Sequence, residues 1–193
     1  VRSKVATAAI AVGCLLLAAC AAREVLVPKS AVVPEGTDLT GLWRLQTEGS
    51  NEQLSDAERR AADDGGISIP SQSREQRSRP RANRNSLVHV FLETGAMLKI
   101  TQTAHGLFIS FDRAVVEEYR FGENRVVNVG PVEADRVSGW VDRDYVIETL
   151  DQENNKLVVR YTLRAGGDAL ERHVSILRKG ELDLSVVQVY ERT

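Results

Sequence analysis

From Leu87 to the C-terminus the chain alternates apolar and polar positions with a period of two, broken at short intervals by Gly, Asn and Asp. The clearest run is Lys156 to Arg164, where Leu157, Val159, Tyr161 and Leu163 alternate with Val158, Arg160, Thr162 and Arg164. Alternation of this kind sends successive side chains to opposite faces of a strand and does not fit the 3.6-residue period of a helix. The same pattern groups Leu98 with Ile100, and Leu107 with Ile109 and Phe111. It also groups Val115, Glu117, Tyr119 and Phe121, then Val127 with Val129, then residues 137 to 141, then Tyr145, Ile147 and Thr149. Leu170, Arg172, Val174 and Ile176 share a face opposed by Glu171, His173 and Ser175, and Leu184 to Tyr190 forms a last run. Turn residues separate the runs at 104 to 106, 122 to 124, 130 to 131, 142 to 144 and 166 to 168. An earlier strand begins near Leu39, with Trp43 and Leu45 on one face and Leu42 and Arg44 on the other. The prediction is an all-β domain over 39 to 193, an antiparallel meander of eight to ten strands. Closing the sheet, fully or nearly, into a barrel removes its two free edges.

Residues 48 to 86 interrupt this pattern with few large apolar side chains, and a mobile insertion is expected there. Its first half is acidic, and Ser55-Asp56-Ala57-Glu58 fits a capping box that starts a short helix over about 56 to 62. Its second half carries Arg74, Arg77, Arg79, Arg81 and Arg84 against Glu75. Two readings of these arginines stand: contact with anionic envelope lipid or an acidic envelope protein, or a solvated loop whose oppositely charged halves attract one another.

At the front, Arg2 and Lys4 precede an uncharged run from Val5 to Ala22, the arrangement of an export signal and its helix. Within it, Leu17-Ala18-Ala19-Cys20 resembles the lipobox of bacterial lipoproteins. That resemblance implies cleavage between Ala19 and Cys20, a signal peptide of 1 to 19, diacylglycerol on Cys20 Sγ, and a membrane anchor. Ala21 after the cysteine implies sorting to the outer membrane, with the domain facing the periplasm. The alternatives are ordinary secretion with a cut after Ala21 or Ala22, and an uncleaved anchor. Residues 20 to 38, with Pro28, Pro34 and Gly36, read as a tether that holds the domain off the membrane.

Gly41-Leu42-Trp43 on the first strand resembles the G-x-W of lipocalins and related calycins. The resemblance implies a lipocalin-like barrel whose closed end is plugged by Trp43, with Arg192, or else Arg178, over the indole. The long insertion after the first strand and the surplus of strands depart from the eight-stranded pattern of that family. Trp140, beside the Asp142 to Asp144 turn, is expected to be partly exposed.

Composition sets limits on these readings. A chain of 193 residues with 42% hydrophobic and 27% charged residues is globular, and a formal charge of −2 gives no field to recruit nucleic acid. The two cysteines are Cys14, inside the signal, and Cys20, so the processed chain has no thiol pair for a disulfide and relies on its apolar core.

No catalytic constellation emerges. Ser138 lacks the glycine that a nucleophile elbow requires, and no glycine-rich phosphate loop occurs. His89, His105 and His173 lie far apart in sequence, so no metal or other cofactor is expected. The pairs Glu117/Glu118, Glu133/Asp135 and Asp142/Asp144 read as solvated surface. What remains is a set of aromatics on inward positions, Trp43, Phe111, Tyr119, Phe121, Tyr145 and Tyr161, expected to line the barrel interior. Two non-enzymatic functions follow: a carrier of a small apolar or lipid-like ligand, or an interaction module with a filled core.

Overall fold

The computed structural model describes residues 23–46, 56, 91–113 and 115–193. The proposed signal helix, Cys20, His89 and the arginines from 74 to 84 lie outside the described residues, as does the insertion, apart from Asp56, which is helical.

Among the described residues ten strands follow one another in the order β1 (Gly41–Leu45), β2 (Met97–Gln102), β3 (Gly106–Phe111), β4 (Val115–Arg120), β5 (Glu123–Val129), β6 (Val132–Val141), β7 (Asp144–Asp151), β8 (Asn155–Leu163), β9 (Ala169–Arg178) and β10 (Glu181–Arg192). All pairings are antiparallel, and the spatial order is β4-β3-β2-β1-β10-β9-β8-β7-β6-β5. The alternation read from the sequence becomes inward and outward rows, although in β6 and β7 the outward Val137 and Leu150 are buried as well. In β8 and β9 the burial alternates strictly, with Leu157, Val159 and Tyr161 facing Ile176, Val174 and Arg172. Asp142, Asn154 and Lys179 take positive φ at hairpin tips, where a short polar or solvated side chain tolerates the left-handed region.

Pairing of β1 with β10 joins the two ends of the meander, whereas β4 and β5, consecutive in sequence, are the two edges of the sheet. Side chains span the opening between them. Glu117 on β4 pairs with Arg136 on β6 at 3.1 Å, Ser138 Oγ donates to the Arg120 carbonyl at 3.0 Å, and Arg125 donates to the Glu118 carbonyl at 3.2 Å. The barrel is therefore nearly closed, with ten strands rather than the eight of the lipocalin pattern.

The turns divide into two ends. At one lie Trp43, Arg192 and the β2–β3, β4–β5, β6–β7 and β8–β9 turns. At the other lie the β3–β4, β5–β6, β7–β8 and β9–β10 turns, and there the chain leaves β1 and returns to β2. The first is the closed end. Leu39 and Trp43 are fully buried there, the indole Nε1 donates to the Leu39 carbonyl at 3.1 Å, and Arg192 lies 4.3 Å over the ring. The stacking implied by Gly41-Leu42-Trp43 is present, and glycine permits it: a Cβ at Gly41 would lie 2.8 Å from Arg192 Nη1 and 3.1 Å from the indole nitrogen.

Two expectations are corrected. Residues 23 to 38 are not a free tether but a strap laid on the outer wall. Leu26 is buried with Val137 and Leu150, Lys29 pairs with Glu148, and Ser30 exchanges backbone hydrogen bonds with Trp140 at 2.9 and 3.1 Å. Gly139 allows the approach, since a Cβ there would meet the Ser30 carbonyl oxygen at 2.5 Å. Trp140 is 2% exposed rather than partly exposed, because β6 turns it inward onto Phe121 and Tyr145.

Candidate functional site

The interior is not uniformly apolar. A row crosses five strands on the inner face in the pairing register Trp140, Tyr145, Tyr161, Arg172, Gln188, from β6 to β10. Every member is buried, Arg172 to 1% exposure. Arg172 Nη1 donates to Gln188 Oε1 at 2.6 Å and Nη2 donates to the Glu93 carbonyl at 2.6 Å, while Nε has no hydrogen-bond acceptor. The guanidinium lies 5.2 Å from the Phe111 ring centroid and 6.0 Å from that of Tyr161. Among the described residues no carboxylate lies within ion-pairing distance of it. An arginine remains charged at any ordinary pH, so among the described residues this cation is held inside the barrel by neutral groups.

A second arginine stands nearby with a counter-charge. Arg136 is buried, ion-pairs with Glu117, donates through Nε to Thr149 Oγ1 at 3.2 Å, and faces the rings of Phe91 and Tyr119 at 5.5 and 5.4 Å. The segment returning from the insertion completes the surroundings. Phe91 and Leu92 are buried in the core cluster, and the Gly95 carbonyl accepts from the Tyr190 hydroxyl at 3.0 Å. Burial pushes the hydroxyls of Tyr119, Tyr145, Tyr161 and Tyr190 above the ordinary tyrosine range, and the arginine charges pull back only part of that rise. All four tyrosines of the chain are thus neutral hydroxyls in the interior.

The six aromatics expected to line the interior all belong to the core or pack on it, but they form two groups. Phe121 and Tyr145 join Trp140 in a triad with ring centroids 5.2 to 5.6 Å apart, close to the floor made by Trp43. Phe111, Tyr119 and Tyr161 surround the arginines instead. Arg136, Arg172, Gln188 and Tyr190 were not singled out as site residues by the sequence. The signal for Arg172 was its position on the apolar face of Leu170, Val174 and Ile176. Glu117, read as solvated, is partly buried and paired. Asp144 accepts from Arg160 and Thr162, and Asp135 pairs with Arg23. His105 is exposed on the β2–β3 turn, and His173 contacts Glu171 on the outer face.

Outside the barrel, β1 to β4 carry a cavity of about 640 Å³, lined by residues that include Leu42, Lys99, Thr101, Phe108, Ser110 and Val116.

No family model matches the sequence, and no curated protein does. Similar solved structures include secretory abundant heat soluble protein 4 from Ramazzottius varieornatus, with 18% identity, 82% of this chain and 96% of that chain covered, and a TM-score of 0.46. Apo lipid binding protein 8 from Caenorhabditis elegans shows 9% identity, coverage of 84% and 99%, and a TM-score of 0.49. A fatty acid transporter, REP1-NXSQ, shows 10% identity, coverage of 81% and 96%, and a TM-score of 0.45. At these TM-scores the likenesses carry no argument about ligand, which rests on the interior chemistry.

Proposed function

We propose that the chain is a bacterial envelope lipoprotein, anchored to the outer membrane through Cys20, that carries in its barrel a small molecule with an apolar body and an anionic head. The observation that carries the ligand reading is Arg172. Burying an ion without a counter-charge costs several kcal/mol even after relaxation, a cost that an anionic ligand would offset. A carboxylate or phosphate head at Arg172 supplies the missing counter-charge and an acceptor for Nε. The neutral hydroxyl of Tyr161 supplies a further donor, and the surrounding Phe, Leu and Val side chains suit an apolar body. The anchor reading rests on Leu17-Ala18-Ala19-Cys20.

Native mass spectrometry of protein purified from its own membranes is expected to find a retained acidic amphiphile, and the Arg172→Met variant to have lost it. Titration with cis-parinaric acid, an apolar carboxylate whose fluorescence rises on burial, is expected to show binding at least tenfold weaker for Arg172→Met. Its methyl ester is expected to bind both proteins alike. Equal binding of the acid by both proteins overturns the reading.

The second reading is an interaction module, favoured by the groove on the outer face of β1 to β4, where Phe108 and Val116 are exposed. A wild-type barrel that takes up no acid, together with an envelope protein crosslinked at Val116, decides for it.

A further inference from the structure

We infer that the end of the barrel opposite Trp43 rests against the bilayer, so that the anchor orients the barrel on the membrane. The inference depends on the anchor at Cys20 and adds an orientation to it. Arg23 is fixed at the rim opposite Trp43, where its guanidinium pairs with Asp135 at 2.6 Å and reaches the Asp151 carbonyl at 3.4 Å. Beside it the Glu24 amide donates to Asn154 Oδ1 at 2.9 Å on the β7–β8 turn, and the Glu24 carboxylate pairs with Lys156. From there the strap descends along the outer wall toward the closed end, through Leu26 on Val137 and Leu150, Ser30 on Trp140, and Gly36 beside Arg143. The direction matters: the lipid attaches upstream of the rim, not at the floor. Three peptide steps separate Cys20 from Arg23. Fully extended, they span about 11 Å, which leaves the barrel little freedom to turn its other end to the lipid.

The surface at that end suits the assignment. Val25 is 83% exposed on the strap, Leu182 is 65% exposed beside the β9–β10 turn, and Val129 is 43% exposed beside the β5–β6 turn. These are isolated apolar side chains among the charged residues of one rim, the kind that an interfacial lipid layer receives. Toward the closed end the strap exposes Val32, the Arg192 guanidinium covers Trp43, and the β2–β3 turn presents His105.

After processing, Cys14 is gone and the Cys20 sulfur is a thioether, so a cysteine introduced elsewhere is the sole free thiol. Leu182→Cys and His105→Cys are each labelled with a nitrobenzoxadiazole dye in the full lipidated protein. Each is then inserted in vesicles of phosphatidylethanolamine and phosphatidylglycerol that contain a lipid with a doxyl quencher near the head group. The expected result is severalfold stronger quenching at position 182 than at position 105. Insertion of a long Gly-Ser spacer between residues 22 and 23 is expected to erase the difference. Equal quenching at the two positions, or stronger quenching at 105, in a vesicle-bound protein whose Cys20 peptide carries the lipid mass overturns the orientation alone. An unmodified Cys20 and a protein free of the vesicles overturn the anchor and the orientation with it.

Discussion

Arg192 sits on Trp43 because three separate constraints meet at the closed end. The β1–β10 register places residue 43 opposite residue 192, Gly41 leaves room for the guanidinium, and the carbonyls of Thr40 and Gly167 fix its orientation at 2.5 and 2.9 Å. The stack is at the surface, so its worth is modest. Arg192→Ala is expected to cost about 1 kcal/mol in urea unfolding and to shift the Trp43 emission to the red as water reaches the ring. Affinity for cis-parinaric acid is expected to stay unchanged, since Arg192 contacts none of the groups around Arg172. A drop in affinity matching that of Arg172→Met would show that the closed end takes part in binding. Residues of this kind were legible in the sequence because glycine, tryptophan and arginine each have a restricted set of uses. Arg172 was harder to read. An arginine on an apolar face can place its charge outside by its long stem, and only the pairing of Tyr161, Arg172 and Gln188 across three strands shows that it remains inside.

At the scale of elements, the hairpins were legible from alternation and turn residues, and the strap was not. In residues 23 to 38 Leu26 is buried and Val33 packs half-buried against the core while Val25 and Val27 face solvent, and the prolines break any period. Its partners, Val137 and Leu150, lie more than a hundred residues away on the outer face, where alternation predicts solvent. The edge between β4 and β5 escaped for a related reason: a turn between consecutive strands signals a hairpin, yet here the strands part and side chains close the gap. The strap is testable as an element. Leu26→Ala removes its main apolar contact and is expected to cost about 2 kcal/mol, the low end for a buried leucine because the cluster is small. Gly139→Ala forces a methyl into the Ser30 carbonyl, which belongs to the backbone and cannot swing away. Hydrogen exchange at the amides of Ser30 and Trp140 is expected to accelerate strongly in that variant while the Arg172 amide on β9 stays protected. Equal acceleration at all three amides would mean that the strap is part of the global folding unit rather than a separable layer.

The whole molecule concentrates its tyrosines where water does not reach, and this gives its stability a particular dependence on pH. All four lie in the interior, and burial holds each hydroxyl neutral beyond the point at which an exposed tyrosine ionises. The unfolded chain loses these protons near pH 10, whereas the folded chain keeps them. Above that pH the folded state binds more protons than the unfolded one, so the free energy of unfolding falls as pH rises. Below it both states keep the protons, and these groups contribute no slope. Arg136 and Arg172 remain charged throughout and do not offset the effect. The expected behaviour is therefore a stability flat with respect to tyrosine ionisation up to about pH 10, then a steep alkaline decline in which four phenols ionise together as the barrel opens. Absorbance at 295 nm, which reports phenolate, is expected to stay low until unfolding and then to rise in one step, coincident with the loss of the β-sheet circular dichroism signal. Gradual phenolate absorbance in a chain whose circular dichroism is unchanged would mean that water already reaches the tyrosines in the native barrel. The Tyr161 hydroxyl assigned to a bound anion would then be solvated and lost to it as a donor as pH rises.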